Sequence, residues 1–255
     1  MDVRHPEVGA DGQRLPNVAP PPSIDIMTSI ARDLPRTARG AATRARIVAA
    51  AADLMRARGV ASTSLDAVLE ASDTSKSQLY HYFTDKDDLV LAVVQRQTER
   101  VLATHSPYLR RVTSIAGLRR WRDAIVEVTR QEHCAGGCPL GSLVSELAES
   151  DGSRAALADG FAQWRDEFVV ALEAIAGTTP RPRAELIELA TMLLTTLQGG
   201  LLLAQTTRST QPLELGLDLA IARVADRLTT ATRRTSTGRP GAAPPGWPCS
   251  PGRRC

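Results

Sequence analysis

The tightest constraint on what this chain can fold into lies between Ser64 and Phe83. Leu65, Val68 and Leu69 recur at helical spacing over a first short segment, about Leu65 to Ala71. A second begins at Ser75, a good N-cap with Gln78 three residues later, and this capping box fixes where the helix starts. Leu79 and Phe83, at i and i+4, share one face of it. Two such helices joined by a turn of about three residues form a helix-turn-helix. With Leu79 and Phe83 inward, Lys76, Ser77, Gln78, Tyr80, His81 and Tyr82 point outward or to the flanks, and they supply hydrogen-bond donors suited to base edges and phosphates.

The flanks agree with that reading. Thr84 is read as opening the next helix, with Asp87 three residues on and Lys86 in its first turn, where backbone N–H groups and the helix dipole favour a phosphate. An exposed first-turn lysine is also common in proteins without an anionic partner, so Lys86 gains its weight from the capped helix before it. The formal net charge of +3 implies little by itself, but the charge is unevenly spread. Arg36, Arg39, Arg44 and Arg46 stand with no acid between Asp33 and Asp53, and the two lysines of the chain, Lys76 and Lys86, both fall in this region. A solvated basic arm would show the same arginine run, so the inference rests on the helix-turn-helix.

Elsewhere apolar residues make up 43% of the chain and aromatics 4%, with Ala, Leu and Arg recurring, which favours helices and argues against a β-sandwich. The periodicity predicts an all-α fold of about nine helices. They are about Thr43 to Arg58, Leu65 to Ala71, Ser75 to Phe83, Lys86 to Thr104 with Pro107 beyond its end, a stripe from Leu118 to Val128, another from Leu140 to Leu147 behind Pro139, the long stripe Leu157, Phe161, Trp164, Phe168, Leu172 and Ile175, then Arg183 to Thr206 and Pro212 to Arg234. The expected organisation is a disordered arm over 1–38, a DNA-binding domain over 39–104, an effector-binding and dimerisation domain over 105–234, and a disordered tail over 235–255. Met1 and Met27 are both candidate starts. Leu189 to Thr207 is uncharged over 19 residues, but its seven Thr and Gln residues fit a buried soluble helix better than hydrocarbon, so no membrane partner is expected.

Four cysteines form no C-x-x-C pair and no apolar signal segment opens the chain, so a reducing cytoplasm is the expected location. His133, Cys134 and Cys138 lie within six residues, yet a fourth ligand is lacking, so no metal is expected. A thiol sensor and a small buried cysteine are the readings left, with the second as default. No G-x-S-x-G, P-loop, H-E-x-x-H or G-x-G-x-x-G occurs, which argues against an enzyme, and no cofactor is implied. A helical adaptor that binds only protein would leave the capped, donor-rich helix and Lys86 unexplained.

Thr43-Arg-Ala-Arg-Ile47, Gly59-Val60, Thr63-Ser64-Leu65 and Ser75-Lys-Ser-Gln-Leu-Tyr-His-Tyr-Phe83, followed by Lys86 and Leu89, resemble the TetR family of bacterial repressors over about 60 continuous residues. The resemblance implies an all-helical homodimer whose recognition helices enter successive major grooves of a double-stranded operator. It implies DNA contacts at Thr43, Thr63, Ser75, Lys76, Ser77, Gln78, Tyr80, His81, Tyr82 and Lys86. Two residues depart from the family pattern. Asp73 stands where the family usually has glycine, although Asp tolerates the left-handed region, and Asp66 sits where several relatives carry a basic or polar residue. In the second half, Gly137-Cys-Pro-Leu-Gly-Ser-Leu143 followed by Glu146 resembles the subgroup that includes the LmrA and YxaF repressors, which implies a small hydrophobic or aromatic effector.

Candidates for that effector's pocket are Trp121, Phe161, Trp164, Phe168 and Gln198, although an aromatic stripe at helical spacing is more often core. The Gly199-Gly200 pair costs its helix about 1 to 2 kcal/mol and calls for compensation, by a close helix crossing or a ligand against the backbone. The last two helices are expected to pair with a second copy, with Leu217 on the shared face.

Overall fold

A computed structural model describes residues 37–179 and 181–236. The expected terminal arm and tail therefore lie outside the described residues, except for Thr37, Ala38, Thr235 and Ser236. Of the described residues, 37–41 belong to one unit and those from 42 on to another. In the first, Thr37 starts a helical turn, its hydroxyl accepting the Gly40 N–H at 3.1 Å.

Among the described residues the chain forms nine α-helices and no strand: α1 (Ala38–Arg58), α2 (Leu65–Ser72), α3 (Lys76–Tyr82), α4 (Lys86–Leu109), α5 (Ile115–Gln131), α6 (Val144–Leu147), α7 (Asp151–Ala176), α8 (Arg183–Thr207) and α9 (Gln211–Ser236). Two expectations are corrected. The stripe from Leu140 to Leu147 is a 3₁₀ turn, Gly141–Leu143, running into the four-residue α6, because Leu140, Leu143 and Leu147 need only one side of a compact turn to bury. And α4 runs past Thr104 with Pro107 inside its last turn. The imino nitrogen forfeits one hydrogen bond there, while Leu109 is wholly buried and Val112 nearly so, and this packing holds the last turn in place.

One helix thus crosses the expected domain boundary. Val93, Thr98, Val101 and His105 of α4 are buried, as are Leu157, Gly160, Trp164 and Phe168 of α7, the helix against which α4 packs. Gly160 permits that approach, since a Cβ there would lie 2.4 Å from Thr98 Oγ1. Beside this seam α8 packs on α7 and α9, and α9 on α5. Gly200 accounts for half of the glycine pair: a Cβ on it would lie 2.9 Å from the Leu213 Cα of α9, so the bare backbone allows α8 and α9 to cross closely. Gly199 faces open space. Leu217 is fully buried inside the protomer, which corrects its expected place on a face shared with a second copy. The large apolar residues of α9 that do face outward, among those described, are Leu215 and Leu219.

The aromatic stripe is core. Trp121 and Phe168 meet edge to face with ring centroids 5.1 Å apart, an arrangement worth about 0.5 to 1.5 kcal/mol beyond its buried area. His105 lies 4.6 Å from the Trp164 ring, and its Nδ1 accepts the Trp121 indole N–H at 3.2 Å. Burial of the imidazole lowers its pKa to about 4, so it is neutral at physiological pH.

Two outcomes follow from this packing. Gly200→Ala should destabilise the protein by about 1 to 3 kcal/mol because backbone must move, whereas Gly199→Ala should stabilise the protomer by up to about 1 kcal/mol through helix propensity; paired denaturant titrations check this. The unfolded chain protonates His105 near its ordinary 6.5 and the folded chain only near 4. Stability is therefore full above about pH 6.5 and falls as pH drops through that window, by about 3 kcal/mol at pH 4. His105→Gln, which keeps an acceptor for Trp121, should remove that part of the slope; identical slopes in the two proteins would refute the assignment.

Candidate nucleic-acid interface

The helix-turn-helix is built by caps. Ser64 precedes α2 and its hydroxyl accepts the Ala67 N–H at 3.2 Å, while Asp66 adds a negative charge in the first turn, where the helix dipole favours it. Asp73 ends α2 in the left-handed conformation, φ 49° and ψ 52°, as its residue type allows. At α3 both arms of the capping box form: Gln78 N–H donates to Ser75 Oγ at 3.2 Å, and Ser75 N–H donates to Gln78 Oε1 at 2.9 Å. Leu79 and Phe83 are fully buried.

That anchoring leaves Ser75, Lys76, Ser77, Gln78, Tyr80 and His81 exposed and Tyr82 half-buried. Lys76 Nζ lies 5.9 Å from the Tyr80 ring centroid, a turn away on the same face. Tyr82 meets the His81 ring edge to face at 4.8 Å. Because the Gln78 oxygen closes the capping box, the donor side of its amide is the part left to face outward. Arg44 of α1, read from sequence only as part of a basic run, sits with its guanidinium 5.2 Å from the Phe83 ring centroid. Only the tertiary fold brings those two together, and no local signal marks the pair.

Three residues have environments that the sequence did not foretell. Thr63 is buried, its hydroxyl donating to Gly59 O at 2.8 Å, so it shapes the turn after α1. Lys86 is the first residue of α4, but the cap is Asp85 and not Thr84, one residue later than expected: Asp88 N–H donates to Asp85 Oδ1 at 2.8 Å, and Thr84 N–H to Asp88 Oδ2 at 3.0 Å. The Lys86 ammonium turns back to donate to Val60 O at 2.8 Å and Ala61 O at 3.4 Å. An ammonium has three donors, so one remains for an anion. Thr43, on α1, is half-buried.

In the second half the pocket candidates do not line an open cavity together. Trp121, Trp164 and Phe168 fill one another's space, Phe161 packs partly buried on the same core, and Gln198 approaches the Cys138 thiol and Gly141. Among the described residues, four buried polar side-chain atoms of this half have no hydrogen-bond partner, Arg122 Nε, Trp164 Nε1, Arg181 Nε and Gln198 Nε2, and neither has Gln97 Oε1 on α4. A surface cavity of about 610 Å³ lies elsewhere, lined by Arg130, His133, Cys134, Arg208, Ser209 and Thr210, and one of about 420 Å³ lies near Lys86 and Glu146. Cys134 is buried; burial also pushes the Cys138 thiol pKa up, although its sulfur accepts the Gly141 N–H. Among the described residues no group of three or more His, Cys, Asp and Glu side chains is placed to hold a metal ion. The α8 helix is long and apolar enough to cross a membrane, with mean hydropathy 1.6, but it packs between α7 and α9. Leu202 and Leu203 of α8 and Leu215 and Leu219 of α9 face outward, Leu219 at 64% exposure.

Comparison with known proteins agrees with this geometry. Residues 47–93 match the family described as bacterial regulatory proteins, tetR family, and residues 114–216 match the C-terminal domain of LmrA/YxaF-like transcriptional regulators. An uncharacterised HTH-type transcriptional regulator of Mycobacterium tuberculosis is 32% identical over 183 residues, covering 68% of this chain and 89% of the relative. The HTH-type regulator LmrA of Bacillus subtilis is 24% identical over 177 residues, 67% of this chain and 90% of LmrA. A TetR regulator from Chloroflexus aurantiacus shares the fold, with a TM-score of 0.61 at 22% identity over 74% of this chain and 97% of that one. With an N-terminal helix-turn-helix, a C-terminal helical half and relatives matched over nearly their whole length, the chain belongs to the TetR family and is a DNA-binding transcriptional regulator, not an enzyme.

Proposed function

We propose that this regulator is a cytoplasmic repressor that grips a palindromic operator as a homodimer and is released by a small hydrophobic or aromatic effector. The observation that carries the reading is the outward set Lys76, Ser77, Gln78, Tyr80 and His81 on a helix anchored by Leu79 and Phe83 and capped at Ser75. Lys76, Gln78 and His81 face base edges. Thr43, Ser75, Tyr82 and Lys86 position the protein on phosphates, with Thr63 shaping the turn between them. Residues 39–104 act as the DNA-binding domain and 105–234 as the effector and dimerisation domain, with α4 shared.

A single protomer reaches one half-site, and two-fold pairing reaches two. The outward leucines of α8 and α9 fit that pairing, since large apolar side chains this exposed leave an unsatisfied hydrophobic face. The effector enters among the helices from Trp121 to Gln205, where unpaired Trp164 Nε1 and Gln198 Nε2 offer hydrogen bonds.

Gel-shift and fluorescence titration on an operator selected from random DNA test the reading. Gln78→Glu retains an acceptor for the Ser75 N–H and removes the outward donor, so it should cost about 1 to 3 kcal/mol and relax one operator position with little loss of fold stability. Lys86→Ala should weaken all sequences alike and reduce the salt slope by about 1. A change in sequence preference with an intact salt slope would reverse that assignment.

Sedimentation tests the pairing. The wild-type protein should be dimeric at micromolar concentration, and Leu219→Asp, at a position exposed in the protomer, should yield a folded monomer that binds operator poorly. A monomeric wild type, free and on DNA, would sink the dimer reading.

A further inference from the structure

We propose that Glu146 is the tether by which the effector half sets the position of the DNA-binding helices, through the loop 59–61 between α1 and α2. The proposal rests on the two-half-site reading above.

The extensive helix packing that joins the first four helices to the rest runs through α4, against α7 and, at its end, α5. A single spine leaves the helices attached to it free to swing about its axis unless a second contact opposes the motion. The loop after α1 supplies the place for one. Its polar groups are held mostly from within the DNA-binding part: Thr63 Oγ1 donates to Gly59 O at 2.8 Å, Thr63 N–H to Val60 O at 3.2 Å, and Lys86 Nζ to Val60 O and Ala61 O. The exception is the Ala61 N–H, which donates at 3.0 Å to Glu146 Oε2, 85 residues further along the chain.

The loop is shaped around that carboxylate. Gly59 has φ +84°, which calls for glycine, and a Cβ on it would stand 2.9 Å from Glu146 Oε1 and push the carboxylate aside. Beside the contact lies the cavity of about 420 Å³ bordered by Lys86, Leu147 and Ser153. The two halves therefore meet here across a gap with a directed hydrogen bond at its edge, and not across a packed apolar seam. Glu146 lies on α6, which continues the turn Gly141–Leu143; that turn touches Cys138 and Gln198 of the effector half. A shift of this segment moves the carboxylate, and the carboxylate moves the loop.

The test uses the full-length dimer and operator duplexes whose half-site spacing is changed by one base pair either way. Wild type should favour one spacing strongly. Glu146→Ala should lose about tenfold in affinity at that spacing and less at the others, so that the preference flattens while the salt slope stays unchanged, since no phosphate contact is removed. Glu146→Gln keeps an acceptor for Ala61 and should restore the preference. In the DNA-free protein the Ala61 amide should exchange about tenfold faster in Glu146→Ala and at the wild-type rate in Glu146→Gln. Unchanged spacing preference together with unchanged Ala61 exchange in Glu146→Ala would overturn the tether. A wild type indifferent to spacing would instead overturn the two-half-site reading, and the tether as a device for spacing with it. Glu146 is exposed, so both variants should fold, and circular dichroism melts will report if either does not.

Discussion

The packing of α4 on α7 is the contact on which the rest depends. It buries Val93, Thr98, Val101 and His105 on one side and Leu157, Trp164 and Phe168 on the other, and α4 directly follows the helix-turn-helix in the chain. At its N-terminal end Lys86 holds the carbonyls of Val60 and Ala61; at its C-terminal end His105 accepts from Trp121. One rigid element thus carries a contact to the recognition unit and a contact to the core of the second half, about 19 residues or 28 Å apart by helical rise. Rigidity over that span makes the position of the recognition helix depend on the packing of the far half.

Much of the DNA-binding unit was legible because its signals are local. A capping box needs two side chains three residues apart, and Ser75 and Gln78 form it with both hydrogen bonds in place. The i, i+4 pair Leu79 and Phe83 pointed inward, and that alone determined which side chains face out. The one local misreading was the cap of α4. Thr84 and Asp87 have the same spacing as Asp85 and Asp88, and a spacing rule cannot separate two adjacent candidates. The geometry separates them because Asp85 reaches Asp88 N–H at 2.8 Å.

What the sequence did not disclose depends on distant partners. Pro107 reads as a stop, yet Leu109 and Val112 bury so completely that the helix turn persists around it. Leu217 reads as one more leucine on an amphipathic helix, and only the direction of α5 and α8 decides that it faces inward while Leu215 and Leu219 face out. The glycine pair called for compensation, and Gly200 finds it in the close crossing with Leu213, while Gly199 stands open on the same helix. Glu146 carried no chemical signal, because its partner is a backbone N–H in a loop that no pattern marks as nearby.

The closed aromatic cluster bears on how an effector could act on the proposed reading. Trp121, Trp164 and Phe168 already bury one another, so an apolar ligand entering there gains little new hydrophobic burial unless it replaces the ring contacts it breaks. A polar atom changes that balance. Trp164 Nε1 is buried there without a partner, and an unmet donor of this kind costs about 1 to 3 kcal/mol in the closed state. A neutral aromatic ligand bearing an acceptor for an indole or amide N–H would recover part of that cost while keeping ring contacts similar to those it displaced. The neutral His105 places no charge in the cluster to attract an ion. On the proposed reading that recovery would require the cluster to open, and the ligand would then favour the opened form. A difference of about 1 to 3 kcal/mol suffices to couple two sites, so one or two such hydrogen bonds would be enough to shift the helices that the α4 spine joins.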